Sequence, residues 1–341
     1  MPGDMPPGSW GAVAALCAML ALLSPGALAQ QVTAPVEEYL AQSVCLGPGG
    51  AVLPGVLPFE PACTKRRALR AGEALPYSKH DWPDQRTAAR LPQGYQASDS
   101  FWGTLLGEQA AIVTLDFGAG QGRGFGSFEP GDGGVAILDR RGRVSGAMTQ
   151  DASGVQWFVS PACREARLAP GWLYAEPPLS EAWQQDVAML LTAKRPEDCP
   201  RAFVPSLTRW RLARIALPWR EAASGEARSV PADILVSEHY GHMPGARPSI
   251  ATAAHLERTV FARGLGVIRW ERWENPERST QKDIPQRAAI ISDSSRCPAE
   301  DLSVAPGTQW RLVDCRLWTN FVRAAPGAPL QALPWPPQTL R

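Results

Sequence analysis

From Ala110 onward the chain is written in short β-branched runs bounded by glycine, and this pattern restricts it to a mainly β fold. Ile112 to Phe117 is one such run. Val135 to Asp139, Arg140-Arg141-Gly142 and Val144 to Met148 read as a hairpin, and Val155 to Val159 follows before Cys163. Strand-like text resumes at Thr208 to Leu217, at Val260 to Trp273 with a turn at Gly264-Leu265-Gly266, and at Trp310 to Trp318. One helix is expected to interrupt the series over residues 180–194: Ser180 caps it, Trp183, Val187, Leu190 and Leu191 recur at helical spacing, and Pro196 stops it. The expected architecture is antiparallel β-sandwich or jelly-roll modules with one inserted α-helix.

Gly11 to Leu23 is an uninterrupted run of small and apolar residues, followed by Ser24-Pro25-Gly26 and Ala27-Leu28-Ala29. An apolar run of this length ending in A-x-A reads as a secretory signal spanning residues 1–29, too short to cross a bilayer. No Lys or Arg precedes it, which departs from the usual pattern. The remainder is expected to be periplasmic or secreted, with no membrane span after signal cleavage.

Six cysteines follow Ala29: Cys45, Cys63, Cys163, Cys199, Cys297 and Cys315. An even number in an exported chain implies a disulfide framework. Their grouping along the chain suggests Cys45–Cys63, Cys163–Cys199 and Cys297–Cys315. No C-x-x-C is present, which argues against a zinc ribbon or a thioredoxin-like site. The 34 basic and 33 acidic residues nearly balance and form no basic stripe, so nucleic acid is not an expected partner.

A duplication is also suggested. Cys199-Pro200 precedes Thr208-Arg209-Trp210-Arg211-Leu212, and Cys297-Pro298 precedes Thr308-Gln309-Trp310-Arg311-Leu312. Ser98-Asp99-Ser100-Phe101 matches Ser237-Glu238-His239-Tyr240 in the same order. The chain then divides into a disulfide-stapled, loop-rich segment over 30–94 with a short helical patch at Val36, Tyr39 and Leu40, and a first β module over 95–215. A second module covers 233–323, and a Pro-rich tail covers 324–341.

Three of the four histidines fall in the polar cluster Glu238-His239-Tyr240-Gly241-His242, His255 and Glu257. In a strand, His255 and Glu257 share one face, because side chains alternate. Imidazole and carboxylate suit general acid/base work or a divalent metal, although H-x-x-H without a flanking acid is a common chance pattern. In Arg269-Trp270-Glu271-Arg272-Trp273-Glu274, Trp270 and Arg272 share one strand face, and Arg269, Glu271 and Trp273 the other. Asp132-Gly133-Gly134 with Asp116 and Glu129 offers oxygen ligands for calcium but also reads as a routine turn. His80-Asp81-Trp82 reads as a turn. The glycine run from Gly118 to Gly122 lacks the following helix that a phosphate loop requires.

These residues point to an exported β-sandwich protein that binds, and if enzymatic cleaves, a polysaccharide or other envelope component. His239, Tyr240 and His242 are the candidate catalytic groups, with His255, Glu257, Arg269 and Trp273 contacting the ligand. A Tyr240–imidazole pair would move the protons of an elimination. No cofactor is expected. Two alternatives remain: a non-enzymatic envelope scaffold, and a metal-dependent enzyme centred on His239, His242 and His255.

Overall fold

A computed structural model of the chain describes residues 36–40, 43–68, 77–80, 103–105, 110–116, 133–138, 144–150, 156–160, 166–169, 172–191, 204–221, 224–293 and 309–323. Every described residue lies within one unit, residues 33–341. The expected signal, the Pro-rich tail, and Cys163, Cys199 and Cys297 lie outside the described residues.

Seventeen strands are described, in three sheets that are antiparallel apart from one short pairing. A two-stranded sheet joins β1 (Ser43–Cys45) and β2 (Arg66–Ala68). A five-stranded sheet contains β4 (Gly103–Leu105), β5 (Ala110–Asp116), β6 (Gly133–Leu138), β7 (Val144–Gln150) and β10 (Leu173–Ala175). Here the expected hairpin is β6 against β7. The ten-stranded sheet runs β16 (Arg311–Leu317), β15 (Gly266–Glu274), β14 (His255–Ala262), β13 (Ala227–Gly241), β12 (Val204–Glu221), β11 (Gln184–Leu191), β8 (Gln156–Val159), β9 (Ala166–Ala169). At one end β17 (Asn320–Arg323) pairs with β12 and with β3 (Tyr77–His80).

Residues 184–191 are therefore strand β11, not the helix expected over 180–194. Gln, Ala, Met and Leu favour a helix in isolation, but pairing with β8 on one side and β12 on the other overrides that weak preference. The described α-helices are α1 (Glu37–Leu40), at the expected helical patch, and α2 (Ile284–Asp293). In α2, Ile284 and Ile291, one helical face apart, are buried.

The disulfide Cys45–Cys63 closes the loop between β1 and β2, as its spacing suggested. Cys315 is also disulfide-bonded, to a cysteine that is not among the described residues. The stapled segment docks on the β14–β15 turn through backbone bonds Ser43 N–H to Gly264 C=O (2.8 Å) and Gly264 N–H to Glu38 C=O (2.6 Å). Gly264 has φ +79°, which favours glycine, and a Cβ there would press on Pro58 at 3.2 Å.

The two T-x-W-R-L segments lie in the same sheet, one in β12 and one leading into β16. Trp210 shares a sheet face with its register partner Ser237, whereas Trp310 packs against Tyr240 on the other.

Candidate functional site

The register of β12 to β15 places residues in cross-strand rows, and alternation assigns each row to one of two faces. On the first face the row Leu207–Tyr240–Leu256–Trp273 is apolar and packs with Ala253 and Trp310. The next row is Arg209–Glu238–Arg258–Glu271, alternating in charge across four strands. The third is Arg211–Val236–Val260–Arg269, which leads into the main core around Leu57, Leu217, Trp219, Ile234 and Phe321.

The charged row is a buried network. Arg258, 2% exposed, donates to Glu238 (2.7 and 2.9 Å) and to Glu271 (3.0 Å). Arg269 donates to Glu271 at 2.6 Å, Trp273 Nε1 donates to Glu271 at 2.8 Å, and Tyr240 Oη donates to Glu238 at 2.7 Å. Arg209 completes the row against Glu238. Burial alone would raise the Glu271 carboxyl, but the guanidiniums of Arg269 and Arg258 outweigh it and hold the group below the usual range. Burial, with the Glu238 carboxylate adding to it, pushes the Tyr240 phenol well above its ordinary value.

The opposite face carries the histidines. Its rows are Ser206–Gly241–His255–Glu274 and Thr208–His239–Glu257–Arg272, the latter extended by Asp186 and Asp314. Arg272 binds two carboxylates, Glu257 at 2.6 Å and Glu274 at 2.9 Å, and Ser279 Oγ donates to Glu274 at 2.5 Å. Trp172 stacks on His239 with ring centroids 4.9 Å apart, and His255 meets His239 edge-on at 6.5 Å. The His255 ring lies directly over Gly241: a Cβ on that glycine would sit 2.2 Å from Cε1. Burial, reinforced by His255, His242 and Arg272, pushes the His239 imidazole down to about 3, and burial with Arg272 lowers His255 as well. Both rings are neutral at pH 7. Nε2 of His239 and Oγ of Ser206 are buried with no hydrogen-bond partner among the described residues. Beside this cluster, β10 packs through Ser237 Oγ, which donates to the Tyr174 carbonyl at 2.8 Å, and through Tyr174 against Phe261.

The structure thus separates the seven residues singled out in the sequence. His239, His255 and Glu257 come together. Tyr240, Arg269 and Trp273 lie on the other face, bound into the ion network. His242 leaves the sheet: its Nε2 lies 2.8 Å from the Ser249 carbonyl and 3.0 Å from the Ser249 N–H, latching the loop after β13. Trp172, Ser206 and Arg272 join the histidine cluster. The alternation that paired His255 with Glu257 already reached Arg272 one strand away, but no sequence signal pointed to Trp172 or Ser206.

Among the described residues no set of three or more His, Cys, Asp or Glu side chains is arranged to hold a metal ion. Asp132 and Glu129 of the calcium reading lie outside them. No helix among them is long and apolar enough to cross a membrane. The chain matches no protein-family model, no curated protein and no solved structure.

Proposed function

We propose that the chain is an exported, disulfide-stapled β protein, periplasmic or secreted, that binds a polysaccharide on its histidine face. The observation that carries this reading is the gathering of Trp172, His239, His255, Glu257 and Arg272 beside two buried polar atoms, His239 Nε2 and Ser206 Oγ, that have no hydrogen-bond partner among the described residues. Leaving such an atom unpaired costs about 1–3 kcal/mol. A sugar hydroxyl both donates and accepts, so once the ligand displaces the side chains that cover the ring it satisfies a neutral imidazole in either tautomer. Arg272 is already matched by two carboxylates, so the cluster is suited to uncharged hydroxyls rather than to an anion.

Binding is assigned without cleavage. Tyr240, the base an elimination would need, is fully buried on the far face with its proton committed to Glu238. The same reading takes the sheets as layers of a sandwich, supported by the packing of Tyr174 on Phe261, and the paired T-x-W-R-L segments as the trace of a duplication.

The test is calorimetric titration of residues 30–341 with a panel of neutral and acidic polysaccharides, with and without EDTA. The expected result is binding to a neutral polysaccharide that EDTA leaves unchanged and that His239→Ala abolishes while the chain stays folded. Failure of the folded protein to bind any member overturns the reading in favour of an envelope scaffold, and binding abolished by EDTA overturns it in favour of a metal site.

A further inference from the structure

A second feature lies on the ion-pair face, on the other side of the sheet from the histidine cluster. Extending the β11–β12 register by one residue sets Trp183 opposite Arg211, with Arg209 diagonal to it. Both guanidiniums lie against the indole, at 4.1 Å for Arg209 and 4.8 Å for Arg211 from the ring centroid. The two arginines are not equivalent. Arg209 is neutralised by buried Glu238. Arg211 has no carboxylate partner among the described residues, and its Nε is buried without an acceptor. Trp183 itself is 37% exposed, one of few large apolar side chains at the surface among the described residues.

An exposed indole wedged against an unpaired guanidinium is an incomplete arrangement. Among the described residues the cation lacks its anion, and the two guanidiniums leave the ring partly exposed. We infer that Trp183 and Arg211 form a binding site for a carboxylated sugar, a uronic acid residue of an acidic polysaccharide. Its carboxylate pairs with Arg211 and its C–H face lies against Trp183. Guanidinium takes a carboxylate in a planar two-bond fork, which a lysine ammonium cannot reproduce. A uronic acid carries the carboxylate and an apolar ring face in one rigid unit. An aspartate or glutamate side chain supplies the first without the second, so the half-exposed tryptophan favours the sugar.

This site is independent of the histidine face. The two rows point to opposite sides of one sheet, and each is probed by a different ligand. The experiment titrates the full chain with an oligogalacturonate, with polyglutamate as the protein-like carboxylate, and follows binding by calorimetry at low and moderate salt. The expected result is oligogalacturonate binding that weakens as salt rises. Arg211→Ala, Arg211→Lys and Trp183→Ala should each raise its Kd about tenfold or more, with polyglutamate binding weaker and indifferent to Trp183→Ala. Arg211→Met keeps the aliphatic stem and serves as the folded control should Arg211→Ala lose stability. Absence of oligogalacturonate binding overturns the assignment, as does binding unchanged by Arg211→Met. Polyglutamate binding as tight as the sugar would assign the surface to an acidic protein partner instead. His239→Ala is expected to leave this binding intact, so a failure here is distinguishable from a failure of the histidine site.

Discussion

His239 and His242, on either side of Tyr240-Gly241, have different tasks, and burial with partner geometry separates them. His242 spends its Nε2 on the backbone of Ser249, so His242→Ala removes a loop latch and is expected to cost about 1–3 kcal/mol of stability. His239 Nε2 has no partner among the described residues, so the side chain should be replaceable. Its titration gives a sign that can be checked. The folded imidazole, near 3, binds its proton far less readily than an unfolded one near 6.5. Between those values the unfolded chain holds more protons, so stability falls as pH drops from about 6.5 toward 3. Glu271 acts in the same direction at lower pH: its folded carboxyl is held down, so its contribution is present above the unfolded value and lost as acid protonates it. Thermal melts from pH 7 to 4 should therefore show a steady loss, and His239→Phe, which keeps a ring against Trp172, should flatten the upper part of it. An undiminished slope in that variant would show that His239 is not the group involved. Gly241 is a residue whose absent side chain matters. Gly241→Ala puts a methyl group where the His255 ring stands, so His255 must swing away. The expected outcome is loss of polysaccharide affinity by about tenfold or more with the far-ultraviolet circular dichroism spectrum retained.

At the scale of elements, the rows across β12 to β15 organise both faces. Arg258 is the centre of the buried row, touching Glu238 on β13 and Glu271 on β15. Removing it takes one of two guanidiniums from each of Glu238 and Glu271, which keep Arg209 and Arg269, so Arg258→Ala is expected to destabilise the chain by about 1–3 kcal/mol in urea melts. A loss below about 1 kcal/mol would mean that the row is solvated. Such a row also fixes register, because a one-residue slip of β14 would carry Arg258 to the other face. Much at this scale was legible beforehand. The runs at 208–217, 260–273 and 310–318 are strands, and the alternation separating Trp270 and Arg272 from Arg269, Glu271 and Trp273 holds in the register. Two things were not legible. Residues 184–191 carry helix-forming side chains and become a strand only because β8 and β12 flank them. Tyr240 and His239 are chain neighbours, and alternation sends them to opposite faces, so a cluster read along the sequence had to split. Nor does alternation say which face is buried: Arg258, Arg269 and Glu271 are charged and all nearly inaccessible. Sequence reveals which residues share a face more readily than whether that face meets water.

For the molecule as a whole, the disulfide-closed segment, the hairpin turn at Gly264 and strand β3 converge on one end of the large sheet, around Phe321, Tyr77 and Leu57. The histidine rows lie toward the other end of β13. Closing the loop of 18 residues between Cys45 and Cys63 contributes about 3 kcal/mol in a chain-entropy account. Cys63→Ser should accordingly lower the melting temperature while leaving polysaccharide affinity unchanged, and a parallel loss of affinity would join the two ends functionally. The central claim is that ligand hydroxyls complete the histidine face. The direct measurement is ¹⁵N imidazole NMR of residues 30–341 during titration with the neutral polysaccharide that they bind best, with His239→Phe assigning the resonance. The account predicts that the His239 Nε2 signal moves and saturates with the calorimetric affinity, while the His242 signals stay in place. Binding that leaves every imidazole nitrogen unmoved would contradict it and put the ligand elsewhere on the protein.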